Sequence, residues 1–153
     1  MKWQHPPIIK IYEALGAVAD GRIDVLENTA KVYSSSRNKW YDVVYDETTG
    51  AIMTNDNGSY WKEYLGYPSI AFFFVKGILP YDARMGELLK GIKWKDINQE
   101  FKNDFDKTLA HIESSLSSPE SEALAIYVRD IDTRIATLAP DMFGKKILPP
   151  EGY

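Results

Sequence analysis

The stretch "KWYDVVYDETTGAIMT", Lys39 to Thr54, decides the fold. Tyr41, Val43 and Tyr45 alternate with Trp40, Asp42 and Val44, so one set faces a core and the other faces away. That period of two is the mark of a half-buried strand. The turn-forming run Asp46–Gly50 follows, and then a second short apolar run, Ala51 to Thr54. Two strands joined by so short a turn must be antiparallel.

Upstream, "RIDVL" (Arg22 to Leu26) and "AKVYS" (Ala30 to Ser34) have the same character, separated by Glu27-Asn28-Thr29. Together these runs predict an antiparallel meander of three to four strands. Before it, Ile8, Ile11, Tyr12, Leu15, Val18 and Ala19 recur close to the helical period. Pro7 suits a first turn and Asp20-Gly21 a stop, which predicts a helix over Ile8–Ala19. One helix is expected to lie against one face of the sheet.

Downstream the period becomes helical. Tyr60 to Leu65 would form a helical turn. Pro68 opens "PSIAFFFVKGIL", which is apolar almost all round and belongs at the centre of the core. Asp82 caps a short helix to Lys90. Trp94, Ile97, Phe101, Phe105, Leu109, Ile112 and Leu116 form one stripe, read as a first long helix. Leu124, Val128, Ile131, Ile135 and Leu138 form a second, and the hinge Ser114–Ser121 joins them into an antiparallel helical hairpin. The stripes would pack on the sheet or on a second copy of the chain, and the sheet is the simpler expectation. The fold class is therefore α+β. The 153 residues read as one domain: an α+β core over 1–80, a helical part over 81–140 and a loosely held tail over 141–153.

Composition excludes several functions. With no cysteine there is no disulfide, thiolate metal site or thiol nucleophile, and two histidines do not make a His-rich centre. No metal or other cofactor is indicated. The net charge of −4 argues against a broad nucleic-acid footprint. "MKWQHPP" lacks the apolar core of a signal peptide, and "IAFFFV" is far short of a membrane span. A cytoplasmic protein is the expectation. No G-x-G-x-x-G, P-loop or G-x-S-x-G setting occurs.

The candidate site is "MTNDNGSYWKEYLGYP", Met53 to Pro68. Asn55, Asp56, Asn57 and Gly58 run into Tyr60, Trp61, Tyr64 and Tyr67. Aligning Gly58 with the glycine of an EF-hand loop puts Met53 and Tyr64 at ligand positions, so that motif fails. A cation at Asp56 and Asn57 is a lesser reading than a turn whose side chains bond their own backbone. The ring spacing would put three rings on one helical face, either covering the core or forming a stacking platform. "SSSRNKW" (Ser34 to Trp40) reads as a hairpin tip, with Arg37 and Lys39 beside a ring as a small nucleic-acid or phosphate contact or a plain solvated turn. The lysines of "KGIKWK" (Lys90 to Lys95) read as a solvated face. His111 and Asp104, seven residues apart, offer a slight basis for acid–base chemistry.

The order "KVYSSSRNKWYDVVYD…AIMTNDN…GYPSIAFFFV" resembles the strand–strand–helix layout of SWIM zinc-binding modules. Ile52 and Thr54 stand where that family has two cysteines, and Pro68 and Ile70 where it has Cys-x-His. All four ligands are absent. The resemblance covers about a third of the chain and implies a module stapled by apolar packing instead of zinc. It implies binding within protein or DNA-associated complexes and transfers no catalytic residue.

Two functions follow as expectations. The first is a non-enzymatic binding or assembly protein that uses Tyr60, Trp61, Tyr64, Tyr67, Asp56 and Asn57, with Arg37 and Lys39 nearby. Its partner would be another protein or a second copy docked through the C-terminal helices, with nucleic acid a weaker option and no membrane. The second is a small enzyme with a pocket between sheet and helices, with Asp56 and Asp42 as its acids and tyrosines as hydrogen-bond donors. An enzyme needs a concavity holding a titratable group of displaced pKa; a docking module needs exposed rings on an open surface.

Overall fold

The computed structural model of the protein describes residues 1–151. It is α+β. Helix α1 (Ile9–Ala19) leads into strands β1 (Ile23–Leu26), β2 (Thr29–Tyr33), β3 (Trp40–Tyr45) and β4 (Ile52–Thr54). They pair in the order β1-β2-β3-β4, each antiparallel to the next. Ala30, Val32, Tyr41 and Val43 are buried on the inner face, while Thr29, Lys31, Trp40 and Asp42 are exposed on the outer one. The alternation in the sequence is thus the alternation of the sheet. In the β3–β4 turn, Asp46 Oδ1 accepts from the Thr48 amide at 3.0 Å and Gly50 takes φ +79°.

Strand β4 is buried at all three positions because the C-terminal segment covers its free edge. The Ile52 amide donates to the Asp141 carbonyl at 3.0 Å, and the Phe143 amide donates to the Ile52 carbonyl at 3.1 Å. Trp3 Nε1 reaches the same Ile52 carbonyl at 2.8 Å. The start of the expected loose tail is therefore pinned to the sheet, and further on Lys146 pairs with Glu63 at 3.0 Å. Part of that tail, residues 152 and 153, lies outside the described residues.

After β4 comes one π-helical turn, Gly58–Lys62, ended by Glu63 at φ 59°. Helix α2 (Tyr67–Val75) follows, with Pro68 in its first turn and Pro68 to Phe74 all buried. It touches β1, β3 and β4 on one side and α1 on the other. The central helix, not α1, thus makes the direct contact with the sheet. Full burial explains its all-round apolar sequence.

The helical part departs from expectation. Helix α3 (Ala83–Glu87) is capped by Asp82, whose Oδ1 accepts from the Arg84 amide at 3.0 Å, as the sequence suggests. The first long helix is two: α4 (Trp94–Glu100) and α5 (Phe105–Ser114). Lys102 and Asn103 take left-handed backbone between them, and Asp104 caps α5 by accepting from the Lys107 amide at 3.3 Å. Asn tolerates that backbone and Asp is a strong cap, so the pair outweighs the continuous apolar stripe.

Helix α6 (Ser118–Leu138) begins with a capping box of Ser117 and Glu120. Its stripe, Leu124, Val128, Ile131 and Ile135, is buried against α1 and α3, not the sheet. The sheet's inner face is already taken by α2. That stripe is equally closed to a second copy of the chain. Among the described residues no helix is long and apolar enough to cross a membrane.

Candidate functional site

The site is built from charges that the fold draws inward. Helix α1 carries Lys10 and Glu13 on the side turned toward the loop after β4, and they pair at 2.9 Å. Across from them stands Asp56, 5% exposed. Its Oδ1 accepts from the Ser59 hydroxyl at 2.5 Å and its Oδ2 from the Ser59 amide at 3.3 Å. Asp56 thereby closes the π-helical turn, a rare conformation that recurs at functional sites. Tyr41 from β3 and Tyr67 from the start of α2 meet edge to face at 6.2 Å beside it.

These groups line one pocket of about 250 Å³. Its other walls are Arg22, the β2–β3 connection at Ser34, Ser35 and Lys39, and helix α4 through Trp94, Lys95, Asn98 and Gln99. Arg22, only 2% exposed, is fixed by Asp20 Oδ2 at 3.0 Å and by the Tyr33 carbonyl at 2.6 Å. The α4 wall is tied to the hairpin, because the Lys95 amide donates to Ser35 Oγ at 3.3 Å. It is tied inward as well: Asn98 Oδ1 accepts from Thr108 at 3.1 Å and Asn98 Nδ2 reaches Glu13 at 3.5 Å.

The electrostatics follow from burial. Asp56 is pushed above the usual carboxylate range by desolvation, only partly offset by Ser59 and Lys10. Burial also works against the Lys10 charge, yet Glu13, Tyr64 and Asp56 more than compensate, and Lys10 is held above its usual range. Burial raises the Tyr41 and Tyr67 hydroxyls, helped by the neighbouring Asp56 and Glu13, so both stay protonated hydrogen-bond donors. Lys39, 8% exposed, is lowered by burial; Lys95 is lowered by burial and then by Lys39. The arrangement presents a carboxyl able to hold a proton, two phenols, several cations and amide groups to one small space.

The structure divides the sequence candidates. Asp56, Asn57, Tyr67 and Lys39 line the pocket together. Tyr64 lies over Gly58, where a Cβ would overlap its ring, and burial raises its hydroxyl. Tyr60 and Trp61 do not line the pocket; their rings meet edge to face at 4.7 Å, with Lys146 over the Tyr60 ring. The expected single helical face of three rings is therefore not formed, because the turn ends at Lys62 and Glu63 reverses the backbone. Trp61 is 65% exposed and belongs to no core.

Arg37 and Lys39 also part. Arg37 is exposed and donates to the Asp20 carbonyl at 2.9 Å, while Lys39 turns inward toward the Tyr41 ring. Asp42 is on the outer face of the sheet, away from Asp56, so the two do not work as a pair. Asp104 is engaged as a helix cap, and His111 packs on Phe101. The four positions that correspond to absent zinc ligands, Ile52, Thr54, Pro68 and Ile70, are all buried.

Sequence reasoning did not single out Lys10, Glu13, Arg22, Tyr41 or Asn98, and it quoted the segments of Ser34, Ser35 and Lys95 without placing them in a pocket. One signal existed for the first two: charges three apart in an otherwise apolar helix share a face and form a pair. The reading of Ser34–Trp40 as a solvated turn holds for Ser36, Arg37 and Asn38, and that of the Lys90–Lys95 lysines as a solvated face holds for Lys90 and Lys93, but neither segment is solvated throughout. Ser34, Ser35, Lys39 and Trp94 are buried where these two segments meet.

A family model described as "Uncharacterised conserved protein UCP014422" matches residues 3–140. No curated protein and no solved structure matches the chain.

Proposed function

We propose that this chain, which belongs to the UCP014422 family, is a small enzyme that binds its substrate in the pocket between the sheet, α1 and α4 and moves a proton there. The observation that carries this reading is Asp56: a carboxyl raised by burial, hydrogen-bonded to Ser59 and facing a concavity. Such a group holds a proton where an ordinary aspartate does not, and releases it when a substrate changes its surroundings. Tyr41 and Tyr67 supply the orienting hydrogen bonds. A second reading is favoured by one observation, the exposure of Trp61 on the Tyr60 ring, which suits a protein partner docking on the loop.

Native mass spectrometry of the untagged protein purified from its own host separates the two. The expected result is a bound small molecule that survives Trp61→Ala and is lost in Asn57→Trp, which plugs the pocket rim. Trp61→Ala itself is expected to change stability by no more than about 0.5 kcal/mol, since the ring is exposed; a thermal melt checks this. A co-purifying protein that disappears with Trp61→Ala, with no small molecule bound, would overturn the pocket reading.

A further inference from the structure

Resting on the pocket as the working site, we infer that Thr108, which lies outside it, is a positioning residue for it: acting through Asn98, its hydroxyl fixes the Glu13 carboxylate and with it the Lys10 ammonium. The chain of contacts runs from α5 through α4 to α1. Thr108 Oγ1 donates to Asn98 Oδ1 at 3.1 Å. With its oxygen so engaged, the Asn98 amide turns its nitrogen toward α1, where Nδ2 reaches Glu13 Oε1 at 3.5 Å. A contact that long holds only while the amide is kept in one orientation, which is what the Thr108 bond supplies. Glu13 Oε2 in turn holds Lys10 Nζ at 2.9 Å. Thr108, Asn98 and Glu13 are all buried. Lys10, Glu13 and Asn98 line the pocket, whereas among the described residues none of α5 does.

The break between α4 and α5 gives this chain its geometry. In one continuous helix residues 98 and 108 would stand about 15 Å apart along the axis. The break at Lys102 and Asn103 folds α5 back and brings the two side chains together. Both residues take left-handed backbone, φ 53° and 61°, which is unfavourable for residues with a Cβ. Backbone held in such a conformation beside a pocket points to a use. The same break gives Asn98 a further hold, because its carbonyl accepts from the Asn103 amide at 2.8 Å. Helix α5 also backs the ion pair at a second point: Lys10 Nζ stands 5.0 Å from the centre of the Phe105 ring. Packing alone does not call for a hydroxyl at position 108, since valine has the same branched shape.

The test is nitrogen-15 NMR of the intact protein, reading the side-chain ammonium of Lys10, with Lys10→Met used to assign it. An ammonium fixed in a buried ion pair exchanges its protons with water slowly enough to give a signal; a mobile one does not. The expected result is a wild-type signal that is lost in Thr108→Val, which removes only the hydroxyl, and kept in Thr108→Ser, which retains it. Ile112→Val, a buried change on the same helix that leaves the chain of contacts alone, is expected to lower the melting temperature and keep the signal. Should Thr108→Val fail to fold for want of a partner at Asn98 Oδ1, Thr108→Val combined with Asn98→Leu removes both partners together and decides by the same signal. A signal that persists in Thr108→Val, or that is lost equally in Thr108→Ser and Ile112→Val, would overturn the inference. So would the absence of a Lys10 signal in wild type, since a pair that is not fixed needs no positioning. The Asp56 carboxyl midpoint of the same wild-type sample separates this from the proposed chemistry. An ordinary midpoint together with the expected Lys10 pattern would remove the proton transfer and leave Thr108 as the residue that positions the pair.

Discussion

Trp94→Ala is expected to destabilise the protein by about 3–5 kcal/mol, the range for deleting a buried aromatic side chain. For a domain of this size that lowers the melting temperature by roughly 6–20 °C. Trp94 is 3% exposed at the first position of α4, and its indole meets α1 at Gly16. A Cβ at Gly16 would stand 2.8 Å from Trp94 Nε1, so the glycine is what lets the ring seat there. Helix α4 is only seven residues long and is followed by left-handed Lys102 and Asn103. This ring, together with the Asn98–Glu13 contact at 3.5 Å, holds it against α1. Losing the indole therefore frees the wall that carries Lys95 and Asn98. Ligand binding should fall along with stability, which a melt and a titration on the same sample would show. A melting temperature within about 2 °C of wild type, a loss under about 1 kcal/mol, would mean that α4 is held by other contacts.

Gly66→Ala is expected to destabilise the protein by about 1–3 kcal/mol, the usual penalty for forcing a methyl group into a packed interior. Backbone strain is not the reason, because Gly66 has φ −78° and ψ 162°, which alanine adopts freely. The reason is contact: a Cβ at Gly66 would overlap both carboxylate oxygens of Asp56. That carboxylate is short, buried and bonded to Ser59, so it has no room to swing away. The substitution should displace the one group on which the proposed chemistry depends. A thermal melt measures the stability loss, and the Asp56 carboxyl resonance of the variant reports the displacement. An unchanged melt together with an unchanged resonance would show that the loop yields without consequence.

The fold was legible wherever a period repeats. Alternation over Trp40–Tyr45 placed β3 within a residue, and the apolar run after Pro68 located the central helix. The same reasoning joined α4 to α5, because an apolar stripe continues across a break that only two backbone conformations at Lys102 and Asn103 create. It also sent the C-terminal stripe toward the sheet. A stripe records that a face is buried, not against which neighbour, and α2 had already filled the sheet.

The site was legible only in part. Asp56, Asn57 and Tyr67 were found because polar turn residues next to rings are conspicuous. Lys10, Glu13 and Arg22 were not, since a charged residue on a mostly apolar segment reads as surface until an opposing wall appears. Helix α4 is that wall, more than 80 residues along the chain from Lys10, and no local pattern announces such a meeting. The aromatic pair Tyr60–Trp61 drew attention for its composition, yet it does not line the pocket.

The state of Asp56 has a consequence for stability with a definite sign. Its pKa is higher in the folded protein than in the unfolded chain, so the folded state holds the proton more tightly. The stability that Asp56 contributes is full below the unfolded carboxyl value of about 3.9 and is lost as pH rises through the higher folded value. In Asp56→Asn that loss is absent. The altered bond to Ser59 adds an offset that does not change with pH, so the difference between variant and wild type should drift in the variant's favour as pH increases.

The most direct measurement is a carbon-13 NMR titration of the Asp56 carboxyl in the intact wild-type protein, with Asp56→Asn used to assign the resonance. The expected result is a midpoint clearly above that of an ordinary aspartate, moving when a pocket ligand is added. A midpoint at or below about 3.9, unmoved by any ligand, would mean that Asp56 is a solvated turn residue and that the pocket is not a site of proton chemistry.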